Sequence, residues 1–326
     1  MVVPAVTLLW RTDLHLADEG PQSRLDDWPT TLLGKLQEIG EIARHVNAAG
    51  VIDGGDFFHV KTPGRNSHEL IRRAAEVHAS YPCSVYGNVG NHDVKYGSLE
   101  FLNESPLGVL LAAGVIKRLY DNHEALFVKD GVKVRVVGIP YHGTKYDMNR
   151  LTTLVRKDED KLVVVAHMLA SPSGGTLFDA EDVLKYRDLA NLDVDVWCFG
   201  HWHRNQGVTE IAPGKWVVNI GSLSRGALTQ DEMSRVPAVA VMDFWKDRVA
   251  IRQVPLQVRP AKEVFNVEGR ARLEARAASV DALVDNLKVT LQDRSVTSLT
   301  EEVLARGDVP PNVKERTLLY LERAAP

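Results

Sequence analysis

Sulfur is scarce in this chain: Cys83 and Cys198 are the only cysteines in 326 residues. Two thiols cannot build a thiolate metal cage or a disulfide scaffold, so sulfur is not expected among any metal ligands. Both lie beside expected strands and read as small core residues in a reducing, cytoplasmic setting; pairing between them stays open. Long apolar runs are also missing. None approaches the roughly 20 residues that span a bilayer, so no membrane role is expected. The opening MVVPAVTLLW has no basic flank or small-residue cleavage site and reads as a first strand, not a leader. Excess positive charge is absent too. The net charge of −4 excludes a basic nucleic-acid coat, so nucleic-acid binding would need local patches or bound cations. No internal repeat or low-complexity tract occurs.

What remains is an ordinary globular composition, 44% hydrophobic and 25% charged, which suits a chain that buries a core. Ala5–Trp10 is an apolar strand candidate. Pro29 suits the first turn of a helix over Trp28–Ala49, with Leu32, Leu36, Ile39 and Ala43 on one face and Gly50 as its stop. Val51–Asp53, Cys83–Tyr86, Leu162–Ala166 and Val194–Phe199 read as buried strands, and Ser67–Ser80, Leu107–Ala113 and Lys145–Lys157 as helices. Strands are expected at Ala125–Lys129 and Val132–Ile139, with closing antiparallel strands at Trp216–Ile220, Ala238–Phe244 and Val249–Val254. Early β/α alternation and a strand-rich second half give an α/β (α+β) class: two stacked mixed β-sheets flanked by helices. Val254-Pro255 and Arg259-Pro260 mark a boundary. It divides a domain over 1–258 from a small C-terminal extension over 259–326, with helices near Gly269–Leu287 and Leu299–Leu321.

Five segments place ligand-type residues just after an apolar strand: Asp13-Leu14-His15, Gly55-Asp56, Gly90-Asn91-His92-Asp93, His167 and Gly200-His201-Trp202-His203. In α/β sheets, ligands gather at the carboxyl ends of strands, so these residues are expected to converge. Alternation along an extended strand end would point Asp13 and His15 the same way, and likewise His201 and His203. Glycines before Asp56, Asn91 and His201 would leave room for close backbone approach. Imidazole and carboxylate without thiolate suit manganese, iron or zinc. More than four such groups sharing one carboxylate suit two ions. Each motif alone is commonplace: a lone histidine is usually a core residue, Asp56 alone could cap a helix, and Asn91 alone suits a turn. The signal is the ordered set.

That ordered set, D-x-H, G-D, G-N-H-D, H and G-H-x-H, resembles the signature of the calcineurin-like metallophosphoesterase superfamily across Asp13–His203, extending to Asn219-Ile220-Gly221-Ser222. The resemblance implies an αββα sandwich and a two-metal phosphoester hydrolase. By position it implies one ion on Asp13, His15, Asp56 and His203. A second would sit on Asp56, Asn91, His167 and His201, with Asp56 as bridge. His92 would act at the leaving-group oxygen, oriented by Asp93. The implied cofactor is two divalent ions, foremost Mn2+, with Fe2+, Zn2+ or Mg2+ as alternatives.

Gly55-Asp56-Phe57-Phe58-His59 and Gly221-Ser222-Leu223-Ser224-Arg225 are similar to segments of the SbcD-type DNA-repair nuclease branch. This implies a DNA exonuclease or endonuclease, an SbcC-type ATPase partner for the C-terminal extension, and a homodimer through Ser67–Ser80. Phe57, Phe58 and His59 equally fit core packing. Two departures stand out: Arg11-Thr12 replaces the usual serine before the aspartate, and residues after 258 leave room only for a reduced cap. Lys61, Arg65, Lys95, Lys145 and Arg225 are the candidate DNA phosphate contacts. The competing readings are a phosphodiesterase or phosphatase on nucleotides or other small phosphoesters, and a non-catalytic DNA-end-binding subunit.

Overall fold

The computed structural model describes residues 3–59, 66–145, 148–177, 181–269, 272, 282 and 296–324. The chain forms two compact units, Met1–Phe265 and Asn266–Pro326. The first begins with β1 (Val6–Arg11), α1 (Trp28–His45), β2 (Gly50–Asp53), α2 (His68–Ala79), β3 (Val85–Gly87), α3 (Pro106–Ala112) and β4 (Ile116–Arg118). Next come β5 (Glu124–Lys129), β6 (Val132–Ile139), α4 (Met148–Thr152), β7 (Lys161–His167), β8 (Ala170–Ser171), β9 (Gly175–Leu177), β10 (Glu181–Lys185) and α5 (Tyr186–Leu189). It closes with β11 (Val196–Gly200), β12 (Gly207–Ala212), β13 (Lys215–Asn219), α6 (Gln230–Ser234), β14 (Ala238–Phe244), β15 (Val249–Pro255) and α7 (Ala261–Val264). The second unit contains α8 (Val296–Ala305) and α9 (Pro311–Ala324). Among the described residues no helix is long and apolar enough to cross a membrane.

One sheet has the order β15-β14-β1-β2-β3-β4, the other β12-β13-β11-β7-β6-β5, and β8-β10-β9 form a small third. Both large sheets are mixed: β1 is parallel to β2 but antiparallel to β14, and β6 is parallel to β7 but antiparallel to β5. Alternation explains how they stack. On β1, Leu8 and Trp10 join Val163 and Val165 of β7 in a core between the sheets. Leu9 turns the other way, onto Leu32, Leu36 and Ile39 of α1. Leu162, Val164 and Ala166 of β7 face outward onto Leu151 of α4 and Tyr186 and Leu189 of α5. Because both faces are covered, their central residues, Leu8–Trp10 of β1 and Leu162–Ala166 of β7, are apolar on both sides. The result is two stacked mixed sheets flanked by helices. The carboxyl ends of β1, β2, β3, β7 and β11 lead into the five ligand-bearing segments.

Several sequence expectations need correction. α1 is capped by Asp27 and starts with Pro29 in its first turn, but it ends at His45. Asn47 turns the chain with φ 52°, and Gly50 is the first residue of β2, not the helix stop. Among the described residues, the helix expected over Lys145–Lys157 covers Met148–Thr152, and Arg156 beyond it pairs with Asp193 and Asp195. β13 is antiparallel to β12 but parallel to β11, so it is not simply a closing antiparallel strand. The first unit also runs past Arg259-Pro260: Val264 and Phe265 are buried, with the Arg24 guanidinium 4.9 Å from the Phe265 ring. Most of the Gly269–Leu287 helix expectation lies outside the described residues.

Under the first sheet lies a buried polar network. Arg11 donates from Nε to Asp53 (2.7 Å), from Nη1 to the Tyr81 hydroxyl (3.0 Å), and from Nη2 to His78 Nε2 (2.7 Å). His78 Nδ1–H donates to the Ala74 carbonyl at 2.7 Å, which fixes the tautomer and leaves Nε2 as an acceptor. Protonating Nε2 would set a proton against the guanidinium. Burial, then Arg11, accordingly pull His78 down to about 3. The unfolded chain takes up this proton near pH 6.5 and the folded chain does not, so stability is lost as pH falls from about 6.5 toward 3. The expected loss is about 2 kcal/mol by pH 5. His78→Gln keeps an acceptor for Arg11 and cannot titrate, so denaturant melts of this variant should show a shallower decline between pH 7 and 5. An unchanged slope would contradict this role for His78.

Candidate metal centre

The ligand segments leave their strands with unusual backbone. Asp13, His15, Asp56 and His201 have φ of 54°, 53°, 53° and 87°, a left-handed region that costs non-glycine residues of order 1–3 kcal/mol each. The extended-strand argument for Asp13-x-His15 and His201-x-His203 therefore fails. The turns send the two histidines of the last motif to different groups. Donor atoms of Asp13, His15, Asp56 and His203 lie within 4.8 Å of one another, and so do those of Asp56, His167 and His201. Asp56 belongs to both groups. Asn91 joins the second, its Oδ1 3.3 Å from His167 Nε2.

Each carboxylate is held at one edge and presented at the other. Asp13 accepts from Thr12 Oγ1 (2.7 Å) and the His201 N–H (3.1 Å). Asp56 Oδ1 accepts from the His92 N–H at 2.8 Å. Asp56 Oδ2 is buried with no hydrogen-bond donor, yet it lies 3.7 Å from His15 Nε2 and 3.4 Å from His167 Nε2. A buried carboxylate oxygen that makes no hydrogen bond and faces two imidazoles suits a bridging cation ligand. His167 Nδ1–H donates to the Gly54 carbonyl (2.9 Å), which leaves Nε2 to face the centre. Burial, opposed in part by Asp56 and reinforced by His203, holds His15 well below its ordinary pKa and so neutral, as a ligand must be. Burial disfavours charge on His167 and Asp56 as well, but their mutual attraction wins. It raises the imidazole and lowers the carboxylate. The residues present thus fit a pair of hard-to-borderline divalent ions.

Asp93 does something other than orient the His92 ring. Its carboxylate accepts the backbone N–H groups of Gly90 (2.9 Å), Asp56 (2.7 Å), Phe57 (3.0 Å) and Phe58 (3.3 Å), stitching the loop that carries Asn91 to the one that carries Asp56. The His92 ring is held by the His59 carbonyl, which accepts from Nδ1 at 2.9 Å. His59 also stacks on His92, with ring centres 4.9 Å apart, and lines the cleft, while Phe57 and Phe58 are fully buried beneath. Gly90 packs so closely that a Cβ there would lie 2.0 Å from Asp56 Oδ1.

The centre opens into a cleft of about 1050 Å³. His92, Asn91, His201 and His203 line it, and Asp18, Glu19, Asp231 and Glu232 make its wall acidic. None of the described candidate phosphate contacts reaches it. Lys95 pairs with Glu104 (2.9 Å) and Lys145 with Asp182 (2.7 Å). Arg225 is buried, donating to the Arg259 carbonyl and packing over Phe265. Basic type and a loop position do not say which way a side chain turns. Lys61 and Arg65 lie outside the described residues. The sequence reading missed Glu181, whose Oε1 is 2.8 Å from His201 Nε2, and Tyr141, whose ring packs 5.5 Å from that imidazole. Glu181 opens a strand of the small sheet rather than following one, so no strand-end signal marks it.

The profile of the family described as calcineurin-like phosphoesterase matches residues 7–205. A search of curated proteins finds no significant match. Among solved structures, the chain is similar to TT1561 of Thermus thermophilus (TM-score 0.44, 12% identity, 76% of this chain and 99% of that one). It is also similar to a 5'-nucleotidase from Candida albicans (TM-score 0.47, 12% identity, 80% and 54%). A dimetal phosphatase from Danio rerio gives TM-score 0.46 and 12% identity, with 77% and 96% covered.

Gly90→Ala tests the shared carboxylate without removing a ligand. The added methyl must displace Asp56, so retained manganese, measured by elemental analysis after dialysis, should fall from two ions per chain, with affinity reduced at least about 10-fold. Two ions retained at wild-type affinity would contradict the bridging assignment.

Proposed function

The chain belongs to the calcineurin-like phosphoesterase family, and on that premise we propose that it is a manganese-dependent phosphodiesterase that cleaves DNA. The observation that carries the hydrolase reading is Asp56 Oδ2, buried and without a donor between two groups of ligands. Asp13, His15, Asp56 and His203 would hold one ion, and Asp56, Asn91, His167 and His201 the other. When bound, such a pair acidifies the attacking water and screens charge on the phosphoryl oxygens. The protein's own contribution is orientation and proton control. The His59 carbonyl holds the His92 Nδ1–H, which leaves Nε2 facing the cleft; in the imidazolium form Nε2 carries the second proton and would pass it to the leaving oxygen, returning the ring to neutral. Buried Phe57 and Phe58 anchor His59 against His92 at the cleft, and this segment supports the DNA reading through its likeness to the SbcD-type branch.

A second reading is favoured by one observation. The cleft wall is acidic, and among the described lining residues Arg204, 3.8 Å from Asp231, is the sole lysine or arginine. Such a wall suits a small phosphoester or a single-stranded end better than a duplex, whose phosphates would meet like charge. Other parts of the proposal concern partners. The exposed Leu304, Val313 and Leu319 on the second unit's helices are the surface we assign to an ATPase partner. A homodimer through α2 stays in the proposal as a polar contact, since the exposed face of that helix carries the Glu69–Arg72–Glu76 ion-pair ladder. A cytoplasmic setting is kept in the proposal, in keeping with two free cysteines.

Purified protein with manganese should cleave labelled single-stranded DNA and a chromogenic diester faster than a chromogenic monoester. Activity confined to the monoester would defeat the nuclease reading. His92→Ala should lower turnover roughly 10²- to 10⁴-fold while both ions are retained; equal loss of metal and turnover would count against its role as proton donor.

A further inference from the structure

The segment Ser222-Leu223-Ser224-Arg225 is buried between the metal centre and the side chains of Lys35, Arg24 and Arg235. Its N–H groups point one way: Ser222 donates to the His203 carbonyl (3.0 Å), Leu223 to Thr12 (3.1 Å) and Ser224 to Asp13 (3.4 Å). Its carbonyls point the other. Arg235 donates to the Ser222 carbonyl (2.7 Å) and to that of Ser224, Lys35 to that of Leu223, and Arg24 to that of Arg225 (2.7 Å). The Ser222 carbonyl and the Leu223 N–H belong to one peptide group, and the Leu223 carbonyl and the Ser224 N–H to the next. Two successive peptides are thus each gripped by a cation at oxygen and by a ligand-strand carbonyl at nitrogen. A cation on the oxygen polarises the peptide and strengthens its N–H as a donor.

Building on the metal-centre reading, we propose that Lys35 and Arg235 are positioning residues for the first ion, acting through these two peptides on the backbone of Thr12 and Asp13. The burial of Lys35 argues for such a task. It sits on the core-facing stripe of α1 among Leu32, Leu36 and Ile39, where an apolar side chain would satisfy the fold. Instead an ammonium is buried there, and the nearby carboxylate, Glu232, is already paired with Arg235 at 2.7 Å. Burial, then Arg225 and Arg235, pull Lys35 down to about 7, so at neutral pH the amine that donates to Leu223 is only partly charged. What the side chain holds is the Leu223 carbonyl, which an apolar residue at this position would leave without that donor. Its reach is also selective: the three carbonyls that the segment grips belong to Thr12, Asp13 and His203, next to or within the first ligand group. None belongs to Asn91, His167 or His201.

The test is manganese titration of the full chain by calorimetry and electron paramagnetic resonance, comparing wild type, Lys35→Met and Arg235→Gln. Melting curves serve as the control for folding. Affinity at the first site should weaken roughly 10- to 100-fold, the scale seen when partners behind metal ligands are removed, while the second site changes less. A purely structural role would lower the melting temperature and leave the affinities of the folded variants unchanged, which would overturn the proposal, as would equal weakening at both sites. Should Lys35→Met fail to fold, Arg235→Gln carries the same comparison. Wild type that binds no manganese would remove the metal-centre reading together with this one.

Discussion

One oxygen atom organises this protein. Asp56 Oδ2 is buried among imidazoles with no donor to satisfy it, while its companion oxygen is fixed by the His92 N–H. Left alone, such an atom costs a folded protein on the order of 1–3 kcal/mol. The neighbouring His167 imidazole, 3.4 Å away, faces its charge. A pair of divalent ions would compensate that charge better. The rest of the site is built to keep that oxygen where two groups of ligands meet.

Keeping it there requires backbone that strands and helices do not provide. Four ligands adopt left-handed φ values, and the loops that carry them are tied together by side chains that touch no substrate. Asp93 collects four N–H groups and so joins the Asn91 loop to the Asp56 loop. Thr12 and the His201 N–H aim Asp13, and the Ser222–Arg225 segment grips the strand ends from behind. Strain of this kind persists only where the surroundings over-determine it. The two stacked sheets, with their three apolar layers, are rigid enough to do so.

The layers were legible because they rest on periodicity. Runs such as Leu162–Ala166 and Val196–Phe199 are apolar throughout, as strands covered on both faces must be, and α1 shows its core-facing stripe in sequence. The convergence of the ligand motifs followed from one rule about strand ends. How each side chain reached the centre did not, because alternation predicts parallel aim for His201 and His203 and a left-handed turn at His201 defeats it. The partner of Asp93 was hidden for a similar reason: sequence adjacency suggested His92, while the carboxylate turned inward to the backbone of Gly90 and of the distant Asp56, Phe57 and Phe58. Glu181 and the burial of Arg225 depend on long-range packing that no local pattern encodes.

The most direct measurement is anomalous diffraction from crystals grown with manganese. Two peaks about 3.5–4 Å apart are expected, with Asp56 Oδ2 within bonding distance of both. A single peak, or two ions with Asp56 bound to only one, would contradict the bridging carboxylate on which the site is built.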